Sequence, residues 1–220
     1  MSVESRGIFV VFEGLDGAGT TTQTRLLTSS LARIRPDLKV HASAEPAGGP
    51  AGTVIRQVLR KRIRGTDCFG VDRDFDPGAL ALLFAADRLD HYSCEIGPVL
   101  EHGGVAISDR YKLSSLAYQA LSMPMEWVKA INSRAPEPDI MFFLEVTPEI
   151  AWERLSGDRV QREIFEVPDT LRAVWRNYHE VLPEIDQKRL VVIDGTDPVE
   201  AIARQALDVV AARLPAQGAE

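Results

Sequence analysis

The sequence predicts an α/β fold: a five-stranded parallel sheet with helices on both faces. Three observations carry this reading. Short, continuously apolar runs alternate with longer segments of helical periodicity, as in strands buried on both faces. Polar residues follow those runs at several points (Glu13-Gly14, Glu45-Pro46, Asp109-Arg110, Glu145, Asp194), as expected where strand ends build one site. The length, 220 residues, suits one large domain better than two small ones.

In chain order, 8–12 is a buried strand and 21–34 a helix that stops before Pro36. A weaker strand spans 40–44. Helical periods run through 53–64 and 78–102, with the polar, acidic 66–77 between them as a surface loop. Strands follow at 105–109 and 140–146, helices at 148–155 and 170–186, a last strand at 190–194 and a last helix at 198–214. Residues 215–220 read as a frayed tail, so a single domain of 1–214 is expected.

Hydrophobic residues make up 45 % and charged residues 26 %, which excludes wholesale disorder. A net charge of −7 disfavours a general nucleic-acid-coating protein. Cys68 and Cys94 are too few for a disulfide framework or a zinc site and point to a reducing compartment. Glu13 interrupts the first apolar run too early for a signal peptide. No apolar stretch approaches the ~18 residues of a membrane span. A cytoplasmic location is expected. His41, His91, His102 and His179 have no metal-ligand spacing.

The first strand runs into Gly14-Leu-Asp-Gly-Ala-Gly-Thr-Thr-Thr22. A phosphate-binding loop reads G-x-x-x-x-G-K-[ST], and Gly14, Gly19 and Thr21 fit it. Its glycines let backbone amides converge on phosphate oxygens beside a helix N-terminus. Gly14, Gly17, Ala18, Gly19, Thr20, Thr21 and Thr22 are therefore the candidate ATP-binding residues. Thr20 stands where the lysine belongs. The Thr21 hydroxyl is the expected Mg²⁺ ligand, and Asp109, at the end of the third strand, can hold the same ion through water. Beside Asp109, the Arg110 guanidinium can take a pair of phosphate oxygens. Lys112 leaves the same sheet edge and is a candidate replacement for the missing loop cation.

From Phe12-Glu-Gly to Gln23 the chain resembles the opening of bacterial thymidylate kinases, apart from that lysine. Glu45-Pro46 with the glycines that follow, Phe84-Ala-Ala-Asp-Arg88, Asp109-Arg110-Tyr111 and Ser114-Ser-Leu-Ala-Tyr-Gln119 resemble the family's later motifs, in family order. Ala44 replaces an arginine that many relatives have. Residues 154–166 resemble an arginine-bearing lid, and since Leu15 and Asp16 are not basic, the chain looks like the type whose lid supplies the cation. The resemblance implies a phosphate-loop nucleoside monophosphate kinase that converts dTMP and ATP to dTDP and ADP with Mg²⁺.

By resemblance, Phe84 stacks on thymine, Arg88 contacts the thymidylate, Tyr118 packs beneath the sugar and disfavours a 2′-hydroxyl, and Asp16 faces the sugar and the reacting phosphates. Glu45, Ser115 and Gln119 belong to the substrate set, Ser115 standing where some relatives have a base-contacting asparagine. Arg159 and Arg162 are the catalytic lid arginines, and a homodimer is expected by analogy. Two rivals remain at this stage: a nucleotide-binding protein without kinase activity, and a kinase for another nucleoside monophosphate.

Overall fold

In a computed structural model that describes residues 6–156 and 169–215, the central strand is β1, Ile8–Gly14. Its neighbours are β5 (Val105–Asp109) and β6 (Ile140–Glu145), flanked in turn by β2 (Val40–Ala44) and β7 (Leu190–Asp194). The order is β2-β5-β1-β6-β7 and every pair is parallel, as the sequence predicts. Alternate residues of β1 serve opposite cores, because successive strand side chains point to opposite faces. Val10 and Phe12 enter the larger cluster, where Phe12 stacks on Phe142 at 4.9 Å between ring centroids. Phe9 and Val11 enter a smaller one with Ile96, Leu100 and Tyr111. Burying each phenylalanine contributes roughly 1.5–3 kcal/mol.

Helix α1 (Thr20–Ile34) packs on β1, β5 and α9 (Val199–Ala211). Helix α2, Pro50–Leu59, starts three residues earlier than expected, with Pro50 pre-set at its first position, and ends before Lys61, whose φ of 56° is left-handed. The expected loop 66–77 contains a short antiparallel ladder, β3 (Gly65–Thr66) with β4 (Asp72–Arg73). Asp67 closes it by accepting from the Phe69 and Val71 amides at 2.9 and 3.0 Å and pairing with Arg73.

The expected helix 78–102 is interrupted. Helix α3 (Pro77–His91), capped by Asp76 through the Ala79 amide, runs into a π-turn at Tyr92–Ile96 before α4 (Gly97–Glu101). Pro98 has no N–H for the α-helical ladder, and Gly97 instead donates five residues back to Tyr92.

Two helices have no counterpart in the sequence reading, α5 (Lys112–Tyr118) and α6 (Met125–Ile131). Each has seven residues, under two full turns, too few to display a helical period. Helix α7 is Pro148–Ser156, and α8 is Asp169–Val181, followed by a 3₁₀ turn over Leu182–Glu184 where Pro183 breaks the pattern. Helix α8 packs on α5, which brings it over the carboxyl edge of β1 and β5.

Candidate active site at the carboxyl edge of the sheet

The turn from β1 into α1 has the backbone of an anion cradle. Gly14 and Gly17 lie at φ 154° and 86°. A β-carbon on Gly14 would meet the Leu144 carbonyl oxygen at 2.9 Å, and one on Gly17 would meet that of Ala151 at 2.6 Å. Glycine is therefore required for strand and helix to approach the loop this closely. Ala18 donates back to Leu15, and Gly19 caps α1 without a side-chain acceptor. The first intrahelical bond is Gln23 N–H to Gly19, so the amides of Thr20, Thr21 and Thr22 are left for an anion at the positive end of the helix. Thr20, in the lysine position, is buried at 5 % exposure.

Thr21 Oγ1 donates to Asp109 Oδ2 at 2.5 Å, which joins the loop to the end of β5. Among the described residues Asp109 Oδ1 is buried without a hydrogen-bond partner. A hydroxyl and a carboxylate with a free oxygen fit Mg²⁺, which favours hard oxygen ligands and keeps waters and substrate phosphates for its other positions. Among the described residues no cluster of three or more His, Cys, Asp or Glu offers a self-contained metal cage.

Beside the loop opens a cavity of about 440 Å³. All eight expected acceptor-side residues line it: Asp16, Glu45, Phe84, Arg88, Arg110, Ser115, Tyr118 and Gln119. Phe84 is half-buried and shares its face of α3 with Arg88 four residues on. Arg88, 1 % exposed, is fixed by Glu45 Oε2 at 2.6 Å, Ser115 Oγ at 3.0 Å, the Tyr111 carbonyl at 3.1 Å and Asn132 Oδ1. Its Nε has no hydrogen-bond partner among the described residues, nor has Gln119 Oε1. Glu45 Oε1 faces His91 Nδ1 at 3.3 Å, so both of its oxygens are engaged in holding the α3 side chains. Burial raises the neighbouring Asp87 carboxyl, which accepts from the Ala47 amide at 2.7 Å.

Arg110 has a left-handed backbone, φ 69°. Its Nη1 donates to the Gly14 carbonyl at 2.9 Å and to Ser114 Oγ at 3.2 Å, and its Nη2 to Asp16 Oδ1 at 2.6 Å. Its guanidinium lies 5.3 Å over the Tyr118 ring. The Tyr118 hydroxyl accepts from the Asp16 amide at 3.1 Å, and burial pushes it up to about 12, partly offset by Arg110.

Lys112 departs from expectation. Its ammonium pairs with Glu137, and it does not line the cavity. The chain bends at Arg110 (φ 69°) and Tyr111 is near-extended (φ −163°, ψ −141°), and the Lys112 side chain reaches Glu137 in the loop that precedes β6. The structure gives no support to Lys112 as the replacement cation. Arg159 and Arg162 lie outside the described residues, as does most of 154–166. Arg154 at the end of α7 is described: its Nη2 donates to the Gly195 carbonyl at 2.8 Å, and its Nη1 is 3.5 Å from the Gly17 carbonyl oxygen.

Sequence reasoning missed four contributors. Glu13 is wholly buried. Burial holds its carboxyl above the usual glutamate value although Ser114 and Arg110 pull it down. It accepts from Ser114 Oγ at 2.5 Å and from the Tyr111 amide at 3.0 Å. Tyr178 and Asn132 reach the site from distant segments, and Ser114 appeared only as part of a motif. A buried carboxylate directly before a phosphate-loop glycine was the one available signal.

The chain is similar to known proteins over most of its length. The thymidylate kinase family model matches residues 12–206. A protein named as a thymidylate kinase from Aeropyrum pernix is 43 % identical over 79 % of this chain and 77 % of its own. One from Pyrobaculum aerophilum is 38 % identical over 89 % of this chain and 96 % of its own. One from Treponema pallidum is 32 % identical, covering 94 % and 92 %.

Proposed function

Because the chain belongs to the thymidylate kinase family, and is a nucleoside monophosphate kinase that phosphorylates dTMP, we propose that Mg-ATP is its phosphoryl donor and that the loop and cavity described above are its two substrate sites. The observation that carries this is the adjacency of the two. Arg110 touches the Gly14 carbonyl of the loop and Asp16 at the cavity at the same time.

In this reading an oxygen of the acceptor phosphate attacks the γ-phosphorus of ATP. The bond from that phosphorus to the β-bridging oxygen breaks, and ADP leaves. The attacking oxygen is already anionic, so alignment and charge neutralisation supply the catalysis rather than a strong base. Gly14, Gly17, Ala18, Gly19, Thr20, Thr21 and Thr22 receive the ATP phosphates. Thr21 and Asp109 hold Mg²⁺, which neutralises phosphate charge when bound. Arg110 takes the acceptor phosphate, and Asp16 faces the reacting groups. Phe84 offers its ring to thymine. The unpartnered Arg88 Nε–H suits a keto oxygen, and the unpartnered Gln119 Oε1 suits a ring N–H, a pairing that thymine satisfies and cytosine does not. Ser115 and Glu45 hold Arg88 in that orientation.

With Thr20 in the lysine position, Arg154 and the lid arginines Arg159 and Arg162 supply the cationic charge. A homodimer through α3 is supported by Leu82 and Leu89, which are 50 % and 41 % exposed although the helix packs on α2. No helix among the described residues is long and apolar enough to cross a membrane. A cytoplasmic location is supported by the free, exposed Cys68 and Cys94. Transfer of a labelled γ-phosphate to dTMP, with and without a chelator, tests the proposal: label must appear in dTDP only when Mg²⁺ is free to bind.

A further inference from the structure

We infer that Tyr178 is a positioning residue for the acceptor phosphate, acting through its hydroxyl on Arg110. This rests on the dTMP reading of the cavity. Tyr178 is fully buried on α8, and its ring and its hydroxyl do different things. The ring packs against Phe143 and Tyr118, at 5.2 and 6.3 Å between centroids. The hydroxyl sits 3.1 Å from the Gly14 carbonyl, 3.0 Å from Ser114 Oγ, 3.3 Å from Glu13 Oε2 and 3.4 Å from Arg110 Nη1.

Donor counting assigns the roles. A phenol has one proton and two lone pairs, and a guanidinium only donates. Arg110 Nη1 therefore donates to Tyr178, its two protons being shared among the Gly14 carbonyl, Ser114 Oγ and the phenol oxygen. Ser114 spends its own proton on Glu13 at 2.5 Å, so the tyrosine proton is left for the Gly14 carbonyl, Glu13 Oε2 or the Ser114 oxygen. The hydroxyl thus joins the last residue of β1 to the arginine after β5. That arginine is held in a left-handed backbone, with its guanidinium over the Tyr118 ring. Burial, reinforced by Glu13, keeps the phenol protonated. Tyr178 does not line the cavity, so its hydroxyl reaches a bound substrate through Arg110 and Ser114, which do.

Tyr178→Phe keeps the ring and removes the hydroxyl, and calorimetric titration with dTMP and with thymidine separates the two roles. The expected result is dTMP binding weakened ~10-fold or more, the scale of a lost hydrogen bond to a charged group, with thymidine binding within about 2-fold of wild type. In an Arg110→Ala background the same substitution should add almost nothing, since the tyrosine then has no guanidinium to orient. Equal weakening for dTMP and thymidine would mean a general structural role and overturn the inference, as would unchanged dTMP binding or loss of a cooperative melt in Tyr178→Phe. Failure of the wild type to transfer phosphate to dTMP would instead strike at the functional reading.

Discussion

Asp16 Oδ1 and Arg110 Nη2 stand 2.6 Å apart, an ion pair that ties the phosphate loop to the residue after β5. The Asp16 side chain is 54 % exposed and that of Arg110 only 18 %. A half-exposed pair of this kind contributes about 0–1 kcal/mol, so an incoming phosphate can displace Asp16 at small cost. The other guanidinium nitrogen stays on Gly14 meanwhile.

That geometry needs a planar fork. Arg110→Lys keeps the charge but cannot hold the Gly14 carbonyl and a phosphate at once. Its kcat/KM for dTMP should fall ~10²-fold or more, with the KM for ATP changing far less. Steady-state kinetics with each substrate varied in turn checks it, and a near-wild-type lysine variant would contradict the bidentate role.

The cation question separates Lys112 from Arg154. Lys112→Ala should leave kcat within about 2-fold of wild type, because it removes only a peripheral pair with Glu137. Arg154→Ala should lower kcat/KM for ATP ~10-fold or more, since its guanidinium lies against Gly17 and Gly195. The reverse pattern, measured at saturating dTMP, would return Lys112 to the site.

Tyr118 predicts a deoxy-sugar preference. Its ring lines the cavity and is held from both sides, by the Asp16 amide and by Arg110. Rejection of one hydroxyl by bulk is limited, so dTMP should be favoured over its ribo-analogue by ~10²-fold or less. Equal kcat/KM values for the two would refute the steric role.

Glu13 predicts a pH dependence. Burial raises its folded pKa above the ordinary 4.5, so the folded chain keeps a proton that the unfolded chain has released. The associated stability is complete below about 4.5 and is lost as pH rises through the folded value. Glu13→Gln removes that loss. Its stability relative to wild type should therefore improve between about pH 4.5 and pH 7. Denaturant midpoints at the two pH values check it, and a constant difference would contradict the shift.

How much of this was legible in the sequence follows from contact range. The loop from Gly14 to Thr22 is a local pattern, and Phe84 and Arg88 share a face by helical spacing alone, so both could be read directly. The strands of the five-stranded sheet were read from short apolar runs, β2 being the weakest of them, whereas the two-residue β3 and β4 show no such run and fell in the expected loop. The residues that hold the site come from far away: Asn132 reaches Arg88 across 44 positions, and Tyr178 reaches Gly14 across 164. No local spacing announces such contacts. Lys112 misled for the opposite reason. It adjoins Arg110 in sequence, but its ammonium pairs with Glu137, away from the cavity.

The central claim is that this chain transfers a phosphoryl group from Mg-ATP to dTMP, choosing the base through Arg88 and Gln119. The most direct measurement is ADP formation by the purified chain against a panel of dTMP, dUMP, dCMP, dAMP and dGMP. The account predicts stoichiometric ADP and dTDP from dTMP. It also predicts kcat/KM for dCMP lower by ~10²-fold or more, because the 4-amino group of cytosine leaves the buried Arg88 donor unpaired. No ADP with any monophosphate, or equal rates for dTMP and dCMP, would contradict it.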